Sequence, residues 1–258
     1  MQLIEMIVLA VIQGIAEFLP ISSSGHLAIV GAMLGQPKES AAVEIILHGG
    51  TLGSILVVYW RRILALLISD RRVIPMLVIG TIPVVLVGLP VKAFAEPILK
   101  NTLLAGCMLL VTSSVLVMLK YVPGGGLQYA RMRWWQALVI GCFQAVAILP
   151  GISRSGSTIF GGRLIGLRGP DAVTFSFLLA IPAILGATVL EVKDLVEEGI
   201  SGEEVTLLAI GALISFALGI FALRWLMYWS DRDRLHWFAL WCGPLGLLVI
   251  GLHFAGML

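Results

Sequence analysis

Ten apolar runs follow one another with little between them. They cover roughly 3–20, 24–35, 43–60, 73–91, 102–120, 134–149, 157–167, 172–190, 205–227 and 237–257. Most are about 17–25 residues long, enough for a helix to cross a hydrocarbon core. Inside lipid the backbone must satisfy its own hydrogen bonds, which leaves helices as the economical solution for such runs. Only 12% of the residues are charged, against about 25% in soluble domains. These features exclude a soluble or nucleic-acid-binding domain and predict an all-α polytopic membrane protein, one integral domain over 1–258. The start, Met1-Gln-Leu-Ile-Glu5, has no basic region before its apolar run, so the first helix is read as retained. Cys107, Cys142 and Cys242 lie in apolar runs without metal-binding spacing and are read as small core residues.

Two runs are too short to cross. Segments 24–35 and 157–167 each follow a longer run across a Ser/Gly turn. Two helices joined by a turn within the membrane, entering and leaving on one side, account for this pattern. Such backbone is tolerated where it is buried in protein or lines a cavity. A shift of 131 residues superimposes the two regions without a gap. Gln13 falls on Gln144, Ala16 on Ala147, Ile21 on Ile152, Ser22 on Ser153 and Ser24 on Ser155; Gly25, Gly31 and Gly35 fall on Gly156, Gly162 and Gly166. Three longer runs follow each pair. The chain therefore reads as a duplication: repeat one at 1–122, a linker at 123–133 and repeat two at 134–258. Each repeat has a re-entrant helical hairpin plus three transmembrane helices.

Three crossings per repeat invert the second repeat relative to the first. With the N-terminus outside, the inner stretches carry Arg61, Arg62, Arg71, Arg72, Lys120, Arg131, Arg133, Arg163, Arg168, Arg224, Arg232 and Arg234. The outer stretches carry Lys38, Lys92, Lys100 and Lys193, and an acidic run with Glu191, Asp194, Glu197, Glu198, Glu203 and Glu204. This bias follows the positive-inside rule. It places both termini outside, in a bacterial inner membrane. The first hairpin then dips in from outside, the second rises from inside, and their tips meet near the midplane.

The second tip reads Pro150-Gly-Ile-Ser-Arg-Ser-Gly-Ser-Thr158. An Arg at the bilayer centre costs about 2.5–3.5 kcal/mol on insertion scales, so Arg154 implies a compensating anion. A guanidinium, hydroxyls and the N-terminus of a helix resuming near Ser157 are suited to phosphate or carboxylate. The first tip reads Gln13-Gly-Ile-Ala-Glu17-Phe-Leu-Pro-Ile-Ser-Ser-Ser-Gly-His26. Gln13 and Glu17 share a helix face, Pro20 ends that helix, and Ser22, Ser23 and Ser24 are candidate caps of the next. Glu17 is either a structural partner of Arg154 or a reacting group, and His26 either a satisfied buried histidine or a base. Together they supply a nucleophile, a base, a carboxylate and an anion clamp. His48, before Gly49, Gly50, Thr51 and Gly53, either lines a cavity beneath the first tip or serves helix packing; the glycines suit close helix approach.

Gln13-xxx-Glu17, Pro20-x-Ser-Ser-Ser-Gly-His26 and Pro150-Gly-x-Ser-Arg-Ser-Gly-x-Thr158 resemble the motifs of the undecaprenyl pyrophosphate phosphatase family of bacterial bacitracin-resistance proteins. The resemblance covers both hairpins and the length of the chain. It implies removal of the terminal phosphate from undecaprenyl pyrophosphate, which regenerates the carrier lipid for cell-wall polymers. Carried over, it makes Ser23 the nucleophile, with Ser22 the less favoured candidate, and His26 an aid to proton transfer. Glu17, with Gln13, would hold a proton or a divalent metal, Mg²⁺ or Ca²⁺. Arg154, Ser153, Ser155 and Thr158 would bind phosphates, with Ser24 and His48 beside the substrate. The acid-phosphatase-like lipid phosphatases also use Ser-Gly-His and Ser-Arg pairs. They require a His where this chain has Phe160, and a Lys-x₆-Arg-Pro that it lacks. The implied partners are a polyprenyl pyrophosphate and membrane lipid; a homodimer is left open. The rival class is a transporter or flippase for a phosphate-bearing substrate, since inverted repeats with broken helices suit one. A structural subunit is a third reading, which Arg154 and Glu17 at the midplane oppose.

Trp134, Trp135, Trp225, Trp229 and Trp237 suit interface anchors, and His236 and His253 lie near segment ends. Pro83, Pro90 and Pro182 suggest kinks. Tyr121 to Arg133, with three glycines, is expected to tether the halves.

Overall fold

A computed structural model describes residues 3–33, 41–99, 101–122, 124–198 and 202–257. Gly35, Lys38 and Lys100 lie outside the described residues. The side chains of the acidic run Glu191–Glu204 and of Lys193 lie outside the described side chains. The repeat match at Gly35 and the charge count at these positions are therefore expectations only.

The described chain is helical apart from turns and one isolated β-bridge, Leu127 to Leu167. The helices are α1 Leu3–Ala16, α2 Ser23–Met33, α3 Ala41–Val58, α4 Trp60–Ile68, α5 Val73–Phe94, α6 Glu96–Leu99 and α7 Thr102–Leu119. They continue with α8 Trp134–Val146, α9 Arg154–Leu164, α10 Gly169–Glu198, α11 Gly202–Ser230 and α12 Ala239–Phe254. Among the described residues five helices are long and apolar enough to cross a membrane: α5, α7, α10, α11 and α12 with its preceding 3₁₀ turn. Helices α3 and α4 meet the same length and hydropathy test only when taken together, and are bent by 69° at Tyr59. The structure is thus that of a polytopic membrane protein. Outward-facing Val78, Ile82 and Leu86 on α5 and Leu213 and Phe221 on α11 are exposed, as apolar groups facing lipid would be.

Helix pairing follows small residues. A side chain at Gly14 of α1 would meet Ser215 of α11, and one at Gly141 of α8 would meet Gly80 of α5. Gly50 of α3 lies against Ala212 and Ser215 of α11, and Gly106 of α7 against Gly246 of α12. Helices in lipid gain from such close backbone approach, because burial alone does not drive them together. The interior between them is filled by Phe18, Leu109, Leu116, Ile140, Ile159, Phe175 and Phe177, all fully buried.

Several expectations need correction. The first helix ends at Ala16, four residues before Pro20, because residues 17–21 form a turn that the ring merely continues. The helix of the second tip begins at Arg154, not near Ser157, since Ser153 already caps it. Arg61 and Arg62 belong to a helix, α4, and not to a loop. Its Leu66 is buried while both arginines are exposed, a pattern typical of helices lying along a membrane surface. The linker is bound in place: Leu127 N–H donates to Gly166 O, Arg168 N–H to Leu127 O, and Tyr129 N–H to the Asp171 carboxylate. Cys242 is buried, but Cys142 is exposed and Cys107 only partly covered. Trp134, Trp135 and Trp237 are exposed, whereas Trp225 and Trp229 are part-buried and pack on Phe238. Pro83, Pro90 and Pro182 all sit inside helices.

Candidate active site

The two tips are built alike. In the first, Gly25 N–H donates to Ser22 Oγ at 3.3 Å, and Ser22 Oγ lies 3.4 Å from Ser24 Oγ. In the second, Gly156 N–H donates to Ser153 Oγ at 3.1 Å, and Ser153 Oγ lies 3.2 Å from Ser155 Oγ. These are N-caps that satisfy one otherwise orphaned amide of each short helix. The turns differ in one respect. Ser22 itself takes a left-handed backbone (φ 72°), whereas in the second turn the left-handed residue is Gly151 (φ 93°).

The tips also interlock. A Cβ on Gly25 would stand 2.9 Å from Gly151 Cα, and one on Gly156 would stand 3.3 Å from Pro20 Cβ. Each cap glycine thus faces the turn of the other tip. Crossing helices hold the turns from behind. Thr112 of α7 donates to Gly151 O at 2.7 Å and accepts from Ser153 N–H at 3.0 Å. Cys242 of α12 lies with its thiol 3.8 Å from Pro20 O.

Glu17 stands at the junction, nearly buried. Its Oε1 accepts from Arg154 Nη2 at 2.6 Å. Its Oε2 accepts from Ser23 Oγ at 2.7 Å and from Gln13 Nε2 at 3.1 Å. His48 Nε2 lies 3.9 Å from the same oxygen. His48 Nδ1 is 2.9 Å from the Glu44 carbonyl; a carbonyl only accepts, so Nδ1 carries the proton and Nε2 is the atom turned toward Glu17. One carboxylate therefore gathers a hydroxyl, an amide, a guanidinium and an imidazole.

The other sequence candidates divide. His26 is in the first turn of α2, but its Nδ1 donates to Ser22 O at 2.7 Å and its Nε2 accepts from Trp241 Nε1 at 2.9 Å. Its ring is engaged with the stacked Trp241, not with Ser23. The Thr158 hydroxyl is tied to Arg154 O at 2.9 Å and to Ser176 Oγ at 2.6 Å, so it braces α9 against α10. Ser155 Oγ reaches Leu19 O at 3.4 Å and, with Ser153, locks the tips together.

Unspent polarity remains at this centre. Arg154 Nη1 and Gln13 Oε1 are buried without a hydrogen-bond partner, as are both amide atoms of Gln144, the repeat match of Gln13. An unpaired buried polar atom costs about 1–3 kcal/mol, and a guanidinium N–H left open in this setting suits a phosphate oxygen. The sequence pointed to none of Thr112, Ser176 and Trp241. Thr112 opens a Thr-Ser-Ser run, Ser176 lies between two phenylalanines and Trp241 follows Trp237 and Phe238, so the only available signal was a hydroxyl or indole at membrane depth.

The donor set does not suit a resident divalent cation. Mg²⁺ and Ca²⁺ need several oxygen ligands, and Glu17, the carboxylate here, already accepts from Arg154, Ser23 and Gln13. Among the described residues no group of three His, Cys, Asp or Glu side chains converges on a metal position.

The profile of the bacitracin resistance protein BacA family matches residues 6–248, which includes both tips. The chain belongs to the BacA family. A relative from Rhodopirellula baltica is 62% identical over 254 residues, covering 98% of each chain. Relatives from Alkaliphilus metalliredigens and Bacteroides thetaiotaomicron are 39% and 38% identical, each over at least 95% of both chains. All three carry the name undecaprenyl-diphosphatase. Coverage of this extent places the interlocked tips, and the Glu17–Arg154 junction between them, inside the family's common frame.

Proposed function

We propose that this protein hydrolyses undecaprenyl pyrophosphate to undecaprenyl phosphate and phosphate, and so confers bacitracin resistance. The observation that carries the reading is the Ser23–Glu17–Arg154 array, assembled from two tips 137 residues apart. Ser23 O–H already points its proton at Glu17. As Oγ attacks the terminal phosphorus, that proton passes to Glu17 Oε2, the Oγ–P bond forms and the bridging P–O bond breaks. The leaving group is the prenyl monophosphate. Water then attacks the phosphoserine phosphorus and the Oγ–P bond breaks; both water protons leave on the phosphate, released as dihydrogen phosphate, and Ser23 Oγ recovers its hydrogen from Glu17. Arg154 meets the charge on the equatorial oxygens through Nη1 and the amides that open α9. Phosphoryl transfer rests chiefly on such positioning and charge stabilisation. His48 supports Glu17 electrostatically when its Nε2 is protonated as well. No step runs through a divalent ion; one carried by the diphosphate would be held by substrate oxygens and water.

The same reading includes the inverted repeats and re-entrant hairpins. Their support is the matched caps, the reciprocal tip contacts and the crossed pairing of α1 with α11 and α8 with α5. With the basic residues inside, the site opens to the outer face of the bacterial inner membrane.

The test is phosphate release from undecaprenyl pyrophosphate by purified protein, beside Ser23→Ala and Arg154→Ala. Release lost by at least about 100-fold in both variants supports the mechanism, the scale expected when a nucleophile or its charge clamp is removed. Binding of the lipid by the wild type without phosphate release refutes the enzyme reading in favour of transport.

A further inference from the structure

A second polar chamber lies at the other end of α3. It has a volume of about 510 Å³, within the range of small-molecule sites. Arg61 and Arg62 from the start of α4 line it, with Tyr59 at the bend, Thr174 from the first turns of α10, and Ser230 and Asp231 at the end of α11. The charged lining is two guanidinium groups to one carboxylate. The long helix α10 also begins here, at Gly169, and a helix N-terminus favours anions. The lining contains a specific unmet demand. Tyr59 is 4% exposed, and its hydroxyl has only the Thr174 hydroxyl of α10 as a neighbour, in a contact that falls short of full hydrogen-bond geometry. A buried phenol donor beside two arginines is a group waiting for an acceptor oxygen.

The chamber is separate from the catalytic junction. Eleven residues along α3 divide His48 from Tyr59, about 16 Å at the rise of a helix. Between the two lies a buried line of rings. Phe18, next to Glu17, meets Phe177 at 5.6 Å between centroids, and Phe177 meets Tyr59 at 6.0 Å. All three are essentially buried. The rim is apolar on one side: Val58, Met227 and the half-exposed Trp60, over which Arg61 stands at 5.3 Å. A wholly aqueous anion would make no use of that rim.

From this arrangement we infer that the chamber is a second phosphate-binding site, which takes the phosphomonoester end of an anionic prenyl lipid beyond the C-terminal end of α3, away from Ser23. Arg61 and Arg62 hold the phosphate oxygens, Tyr59 donates to a third, and Val58, Trp60 and Met227 receive the first isoprene units. The chemical class is that of the lipid product in the reaction proposed above. Inorganic phosphate shares the headgroup chemistry and differs by having no tail.

The test uses the full chain in nanodiscs of neutral phosphatidylcholine, titrated with farnesyl phosphate, inorganic phosphate and farnesol. The wild type binds two farnesyl phosphates per chain. Arg154→Ala removes one of them. Tyr59→Phe combined with Arg62→Gln weakens the other at least ten-fold while hydrolysis of undecaprenyl pyrophosphate stays within two-fold, which also shows that the variant folds. Inorganic phosphate competing as well as farnesyl phosphate assigns the chamber to the free ion and overturns the lipid assignment. A single site that disappears with Arg154→Ala and ignores Tyr59→Phe/Arg62→Gln overturns the proposal, as does loss of hydrolysis in that double variant. Absence of hydrolysis in the wild type would instead count against the phosphatase reading and leave the stoichiometry to decide this one.

Discussion

Breaking the Glu17–Arg154 pair separates what the junction does for folding from what it does for chemistry. The two groups touch at 2.6 Å with side chains 7% and 17% exposed. Removing one partner of a buried ion pair leaves an uncompensated charge and costs about 3–5 kcal/mol, whereas replacing both by apolar or neutral groups of similar shape is often close to neutral. Glu17→Gln and Arg154→Met alone should therefore each lower stability by about 3–5 kcal/mol. At about 2–4 °C per kcal/mol for a chain of this size, the melting point falls by about 6–20 °C. The double variant Glu17→Gln/Arg154→Met should recover most of that loss. Hydrolysis should not recover. Both single variants and the double lack the base or the clamp, and losing one such electrostatic group costs about 10²–10³-fold in rate. Thermal unfolding in detergent and phosphate release, measured on the same four preparations, give both readouts. A double variant as unstable as the sum of the singles would show that the pair is not coupled, and the geometry described above would be wrong. A double variant that regained hydrolysis would remove Glu17 and Arg154 from the mechanism.

Gly25→Ala should push the tips apart, because its Cβ would sit 2.9 Å from the Gly151 backbone. Overpacking of this kind costs about 1–3 kcal/mol, and the displaced Ser23 should lose hydrolysis more than stability; unchanged turnover would contradict the interlock. Thr112→Val keeps its shape but deletes the hydroxyl that serves both Gly151 O and Ser153 N–H. It should destabilise by about 1–3 kcal/mol and lower turnover with it, as thermal unfolding beside an activity assay would show. Titrating Mg²⁺ or Ca²⁺ into the substrate-free protein should give no binding that Glu17→Gln abolishes; calorimetry showing a stoichiometric, Glu17-dependent site would overturn the account of the donor set.

Much of this was legible in the residues. Periodic apolar runs announced the spans, and the repeated Ser-x-Ser-Gly turn located both tips, because a capped turn at membrane depth is rare enough to stand out. Glu17 and Arg154 were recoverable from the cost of burying a charge, and Ser23 from the resemblance of its motif. Partner choice was not. By motif, proton transfer falls to His26, with cavity lining or helix packing for His48. Only the structure shows His26 held by Ser22 O and Trp241, which lies 215 residues away, while His48 turns toward Glu17. The break at Tyr59 was hidden for a related reason: no proline or glycine marks it, and Trp60-Arg61-Arg62 continues a helical pattern while the chain changes direction.

The repeat also explains why the junction needs both halves. Under the shift of 131 residues, Ser23 of the first tip falls on Arg154 of the second; both open their short helix directly after the capping serine. The same turn, used twice, presents a hydroxyl in one copy and a guanidinium in the other. Neither copy is stable in lipid with its own charge alone, since Glu17 without Arg154 or Arg154 without Glu17 is an unpaired ion in a buried place. Each tip's charge is therefore met across the junction by the ion of the other. The junction also needs Glu17, whose counterpart under the same shift is Ile148, and the two tips brought face to face. The reciprocal contacts of Gly25 with Gly151 and of Gly156 with Pro20 are what hold them there.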